Sequence, residues 1–186
     1  MTAQSSTDVF KEVTGMSIGW AVAMIVLGIL AVALPLATGI GVSILVSWII
    51  VFSGFAHLAY AFAARGAGAF LWRILIGIAY VVGGVYLAFH PGLALESLTL
   101  VVAAIFLVEG VTEIVLFFQF RTLSGAGWIL FDGIMSLLLA YVIWRPWPSS
   151  SAWAIGTLLG INLILSGATR LMYSVATRKA LKAVAG

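Results

Sequence analysis

The chain has 186 residues, 63% of them hydrophobic and only 8% charged. Its mean hydropathy is +1.22 and its formal net charge +3. A soluble domain is nearer roughly 45–50% apolar and about 25% charged, so this composition excludes a cytosolic globular protein, a disordered chain and a soluble enzyme with a polar surface.

Six apolar runs follow one another, and each is long enough for a helix crossing a bilayer of about 30 Å. A tail, 1–15, carries Asp8, Lys11 and Glu12 and leads into the first run, 16–36. That run begins near Trp20 and ends at Ala33-Leu34-Pro35. Its mixed-charge flank and its length argue against a cleaved signal peptide. The second run, 40–63, contains Ser53-Gly54 and His57. The third, 70–89, opens at Trp72 and closes at Phe89-His90-Pro91. The fourth, 94–118, contains Glu109-Gly110 and Glu113. The fifth, 126–144, opens at Trp128, carries Asp132 and closes at Trp144-Arg145-Pro146. The sixth, 152–175, carries Asn162, Ser166-Gly167 and Arg170, and a basic tail, 176–186, follows. Transmembrane barrels show weak alternating segments of about 10 residues, which these are not. The expected fold is an all-α membrane domain over 16–175, with neighbouring helices antiparallel across short connections.

Orientation follows from lysine and arginine. With both termini in the cytoplasm, Lys11, Arg65, Arg73, Arg121, Arg178, Lys179 and Lys182 fall inside and Arg145 alone falls outside. Trp20, Trp72 and Trp128 then open the odd helices at the inner interface, and Trp144, Trp147 and Trp153 surround the last outer loop.

The chain also repeats itself. The prolines that end the odd runs stand at 35, 91 and 146, spaced 56 and 55 apart. Ser53-Gly54, Glu109-Gly110 and Ser166-Gly167 recur at spacings of 56 and 57. Trp72-to-Gly77 matches Trp128-to-Gly133 at an offset of 56. Three units of helix–Pro–turn–helix result, about 16–63, 70–118 and 126–175. Each has two crossings, so all three share one orientation, unlike the inverted repeats of many transporters. A bundle of three parallel hairpins with pseudo-threefold symmetry is the expected architecture.

Proline-ended hairpin repeats with a [Ser/Glu]-Gly-x-x-polar stretch in the following helix resemble the HdeD family of bacterial inner-membrane proteins. The resemblance runs over about 16–175. It implies a multi-pass protein of the bacterial cytoplasmic membrane with a role in acid resistance. It implies no catalytic residues, since no molecular activity is agreed for that family.

Four charges fall inside the apolar runs: Glu109, Glu113, Asp132 and Arg170. A charge at the centre of a transmembrane helix costs roughly 2.5–3.5 kcal/mol, and such residues usually face the bundle interior and pair with one another. His57, Glu113 and Arg170 each lie three residues after a repeat glycine. Ser53, Glu109 and Ser166 precede them by four, which places each pair on one helical face. Asn162 extends the third stripe. If the even helices surround the axis, His57, Glu113 and Arg170 meet at one level, and Asp132 enters from the fifth helix at similar depth.

Three uses are open for this buried polar cluster. It can be a structural network that fixes helix register. It can be a proton-responsive site, because carboxylates one turn apart repel when both are ionised and histidine titrates near mild acid. It can line a path for protons, ions or a small solute, in a small transporter or channel. An enzyme is not expected. Cysteine is absent, His57 and His90 stand far apart in no metal-ligand spacing, and the sequence has no GxGxxG or GxxxxGK[ST] phosphate loop. Ser53 with His57 lacks a third group. No cofactor, metal or nucleic acid is expected, and the partner is the lipid bilayer, with homo-oligomerisation open. Gly156-to-Gly160 and Gly15-to-Gly19 are GxxxG spacings whose expected use is packing within the chain.

Overall fold

The computed structural model describes residues 3–64, 66–121 and 126–185, with side chains described over 17–64, 66–121 and 126–177. Six long helices make up this part of the chain: α1 (Ala3–Ala33), α2 (Pro35–Ala61), α3 (Ala67–Phe89), α4 (Pro91–Phe120), α5 (Ala126–Trp144) and α6 (Ala154–Ala185), with a 3₁₀ turn at Ser149–Ala152 before the last. No strand occurs among the described residues. Five segments, Pro35–Ala61, Ala67–Phe89, Pro91–Phe120, Ala126–Trp144 and Ser149–Thr177, are long and apolar enough to cross a membrane, and α1 contributes the apolar stretch Ser17–Ala33.

Two boundaries differ from the expected runs. Pro35 and Pro91 do not sit in turns but open α2 and α4, directly after α1 and α3 end. Proline lacks an N–H that the first helical position would leave unbonded, and its fixed φ suits that position. The third unit departs from this pattern, because Pro146, Pro148 and the 3₁₀ turn lengthen the connection before α6. The α1 backbone is helical back to Ala3 and the α6 backbone onward to Ala185. Asp8, Lys11, Glu12, Gly15, Arg178, Lys179 and Lys182 lie outside the described side chains, and Arg65 lies outside the described residues altogether.

The side chains sort by size, not by polarity. Most buried positions are small, among them Ala21, Ala31, Ala61, Ala103, Ala140, Ser43, Ser47 and Thr99, with Val51, Leu95, Ile143 and Ile155 as the large ones. Large apolar groups face outward, with Trp72 66% and Phe89 81% exposed. Lipid is as apolar as leucine, so burying large side chains gains little there, whereas small ones let backbones approach.

Two compact units result, one of Met1–Pro35 with Gly156–Gly186, the other of Leu36–Ile155. In the larger unit, a Cβ added at Gly54 of α2 would lie 2.9 Å from the Gly77 carbonyl oxygen and 2.8 Å from the Val81 nitrogen of α3. On α4, a Cβ at Gly110 would lie 2.7 Å from the Gly133 carbonyl oxygen and 2.9 Å from the Leu137 nitrogen of α5. In the smaller unit, a Cβ at Gly167 of α6 would lie 2.8 Å from the Ala21 carbonyl oxygen and 3.1 Å from the Ile25 nitrogen of α1. The same close contact therefore recurs three times. Each even helix presses its repeat glycine against two residues, four apart, on an odd helix. For α2 and α4 that odd helix is the next in sequence; for α6 it is the first.

Polar contacts reinforce these pairs. Ser17 of α1 and Ser174 of α6 share a hydroxyl–hydroxyl bond of 2.8 Å. Arg73 Nη1 of α3 donates to the Tyr60 carbonyl at the end of α2 over 2.9 Å, where a helix has carbonyls without intrahelical partners. The GxxxG at Gly156 and Gly160 is used within the chain, as expected. Gly160 lies against Gly28 and Val32, and Gly156 against Pro35.

Candidate functional site

The polar stripes fall on α2, α4 and α6. On α2, Ser53 and His57 are both half-buried. His57 Nδ1 donates to the Ser53 carbonyl oxygen, 2.9 Å away, and the ring stacks on Tyr80 of α3 with centroids 5.3 Å apart. A carbonyl only accepts, so Nδ1 carries the proton. The bond runs to the main chain, and through that nitrogen the Ser53 hydroxyl gains no base. Tyr80 was not singled out from the sequence. Antiparallel pairing of α2 and α3 at Gly54 and Gly77 is the signal that would have found it.

The acids come together where α4 meets α5. Gly133 lets α5 approach closely at the level of Glu113, since a Cβ there would lie 3.1 Å from the Glu113 Cβ and 3.1 Å from the Gly110 carbonyl oxygen. Asp132 precedes that glycine, and its carboxyl is a neighbour of the Glu113 carboxyl. Glu109, one turn earlier on α4, is the other charged neighbour of Glu113. Two ionised carboxyls have no donor between them, so this contact is attractive only while one of the pair is protonated. The second carboxyl oxygen of Glu113, Oε2, is buried with no hydrogen-bond partner. Glu113 as a whole is half-buried, while Glu109 and Asp132 lie on the surface of the chain.

On α6, Ser166 is half-buried, and Asn162 and Arg170 are exposed. These three belong to the unit that α6 forms with α1. Within the larger unit, Glu109, Glu113 and Asp132 are brought together, while His57 has Ser53 and Tyr80 as its partners. Among the described residues, no group of three or more His, Asp and Glu is placed to hold a metal ion.

The short repeat of unknown function DUF308 matches residues 19–89, 75–145 and 146–184. The first two matches are offset by 56 residues at both ends, the spacing of the first two repeat prolines. Protein HdeD of Escherichia coli strain K12, of Escherichia coli O157:H7 and of Shigella flexneri are each similar to this chain. Each is 27% identical over 153 residues, covering 80% of this chain and 80% of its own length. No solved structure matches. The repeat period, the helical hairpins opened by proline and these similarities coincide over most of the sequence: the chain belongs to the HdeD family of DUF308 short-repeat membrane proteins.

Proposed function

We propose that this chain is a non-enzymatic protein of the bacterial cytoplasmic membrane that serves in acid resistance, and that the carboxyls between α4 and α5 respond to protons. In this reading both termini face the cytoplasm. The three hairpins stand parallel about a pseudo-threefold axis, and Ser53, His57, Asn162, Ser166 and Arg170 complete the polar lining begun by Glu109, Glu113 and Asp132. The observation that carries the reading is the Glu113–Asp132 contact, with Glu113 Oε2 buried and unpartnered beside it. An unpaired buried carboxylate oxygen is expensive to ionise and a protonated one is not. Gain or loss of a single proton therefore changes the energy of holding α4 against α5, through a contact that Gly110 and Gly133 make unusually close.

Infrared difference spectra of the purified protein in lipid nanodiscs test this. Acidification is expected to raise a protonated-carboxyl C=O band, and Glu113→Gln to remove most of it while leaving helix content unchanged. Survival of cells expressing Glu113→Gln in acid is expected to fall below that of cells expressing the parent chain at equal membrane abundance. An unchanged carboxyl band in both Glu113→Gln and Asp132→Asn overturns the proton-responsive reading.

A further inference from the structure

We propose that the proline-proximal ends of α3 and α5 carry two copies of a binding site for an anionic phospholipid, each holding the headgroup phosphate at a basic residue that stands one turn after a tyrosine. The copies are related by the internal repeat. Tyr86, His90 and Pro91 stand 55 residues before Tyr141, Arg145 and Pro146. The first set lies in a groove of about 540 Å³ lined by Val81, Val82, Val85, Tyr86, Phe89 and His90. The second lies in a groove of about 370 Å³ lined by Tyr141, Val142, Arg145 and Pro146. Val81, Val82, Val85 and Phe89 give the first groove an apolar wall along α3, and Val142 and Pro146 give the second its apolar part, which suits an acyl chain.

Position along the helix sets the depth. Both sets lie in the last turn of a spanning helix or just beyond it, where aromatic rings and headgroups share the interface, and Trp144 and Trp147 flank the second set in the sequence. Tyr86 is 54% exposed and Tyr141 60%, so both side chains are open to the surroundings of the helices. Arg145 offers a planar fork of donors matched to phosphate, and neither groove has an acidic side chain in its lining to neutralise it. That charge imbalance selects an anionic lipid over a zwitterionic one.

The His90 copy works differently. Its ring stacks on Tyr86 at 4.3 Å, and its Nδ1 donates to the Tyr86 carbonyl oxygen over 2.9 Å. In the neutral ring Nε2 is then a bare acceptor, which repels phosphate. Only the imidazolium offers a second N–H. The other titratable or charged groups at this end of the larger unit are Tyr86 on α3, Glu96 on α4, and Tyr141 and Arg145 at the end of α5; the first turns of α2 hold none. The Arg145 copy therefore holds its lipid through a permanent charge, and the His90 copy only through the imidazolium form of its ring. The first repeat supplies an internal control, because Leu30 and Leu34 occupy the corresponding positions before Pro35.

Delipidated protein titrated with phosphatidylglycerol or phosphatidylcholine, and read by native mass spectrometry, provides the test. One retained phosphatidylglycerol is expected from the Arg145 copy and a second when His90 is the imidazolium, with phosphatidylcholine retained about tenfold less, the scale of one charge-assisted hydrogen bond. Arg145→Gln removes the first of these sites, and His90→Gln removes the second. The double change Leu30→Tyr with Leu34→Arg adds a site to the parent count. Equal retention of the two lipids, or an unchanged count in Arg145→Gln, overturns the proposal. Arg145→Lys is the folding control and retains phosphatidylglycerol over phosphatidylcholine.

Discussion

A methyl group has no room at Gly110. Its Cβ would fall 2.7 Å from the Gly133 carbonyl oxygen and 2.7 Å from the Leu137 Cγ, and neither backbone nor branched carbon can yield without moving α5. At Gly83 of α3 nothing lies within 4 Å of the same added atom. Alanine is the better helix former by about 0.5–1 kcal/mol, so the two substitutions should differ in sign. Gly110→Ala is expected to destabilise by roughly 1–3 kcal/mol, the usual cost of overpacking, and Gly83→Ala to be neutral or slightly stabilising. Thermal unfolding of both variants in one detergent measures the contrast. The sequence marked Gly110 as a repeat position, through Glu109-Gly110, but not what it touches. Glycine is frequent in transmembrane helices, and Gly83 and Gly84 are adjacent in the chain. Only the second is pressed against α2, at 2.8 Å from Val51 Cγ2. Burial of the acids was equally hard to read. Glu109 and Glu113 share a helical face, yet the first is exposed and the second half-buried, because Gly133 approaches the chain at Glu113.

Helices were the most legible part, because runs of about 20 apolar residues have few other structures open to them in a bilayer. Their partners were not. In water an apolar stripe points to the core. In lipid both the stripe and the opposite face are apolar, so polarity does not say which side packs. The pairing that emerged, α2 with α3, α4 with α5 and α6 with α1, cuts across the proline-linked units read from the sequence. The α6–α1 pair links residues 157 apart through Ser17 and Ser174. The chain has no cysteine, so a double variant, Ser17→Cys with Ser174→Cys, reports on this pair without background. Hydroxyls 2.8 Å apart place the two Cβ atoms near the separation of about 3.5–4.5 Å that a disulfide needs. Mild oxidation is expected to close the bridge in most molecules in native membranes, seen as a shift in gel mobility reversed by reductant. Single Ser→Ala variants are expected to cost little, about 0.6 kcal/mol on the scale of interhelical hydrogen bonds in membranes.

On the scale of the whole molecule, the three matched pairs carry a consequence for connectivity. Gly54 against Gly77 and Val81, Gly110 against Gly133 and Leu137, and Gly167 against Ala21 and Ile25 are one contact in three copies. Two copies are made by helices joined through a short loop, and the third by helices at opposite ends of the sequence. If that contact holds each pair together, it does not matter which pair lacks a loop. Joining the C-terminal end of α6 to the N-terminal end of α1 through a flexible linker, and opening the chain between Phe62 and Gly66, gives the order α3–α4–α5–α6–α1–α2. The α6–α1 pair then becomes a covalent hairpin, and α2–α3 becomes the pair held by packing, with the Arg73 bond to the Tyr60 carbonyl retained as its polar clasp. The permuted chain is expected to insert and to unfold within a few degrees of the parent in detergent. Combining the permutation with Gly54→Leu is expected to lower the midpoint much more than Gly54→Leu does in the parent, because no loop then limits the separation of α2 from α3. Equal effects of Gly54→Leu in the two connectivities would show that the loop between α2 and α3, and not the glycine contact, holds that pair.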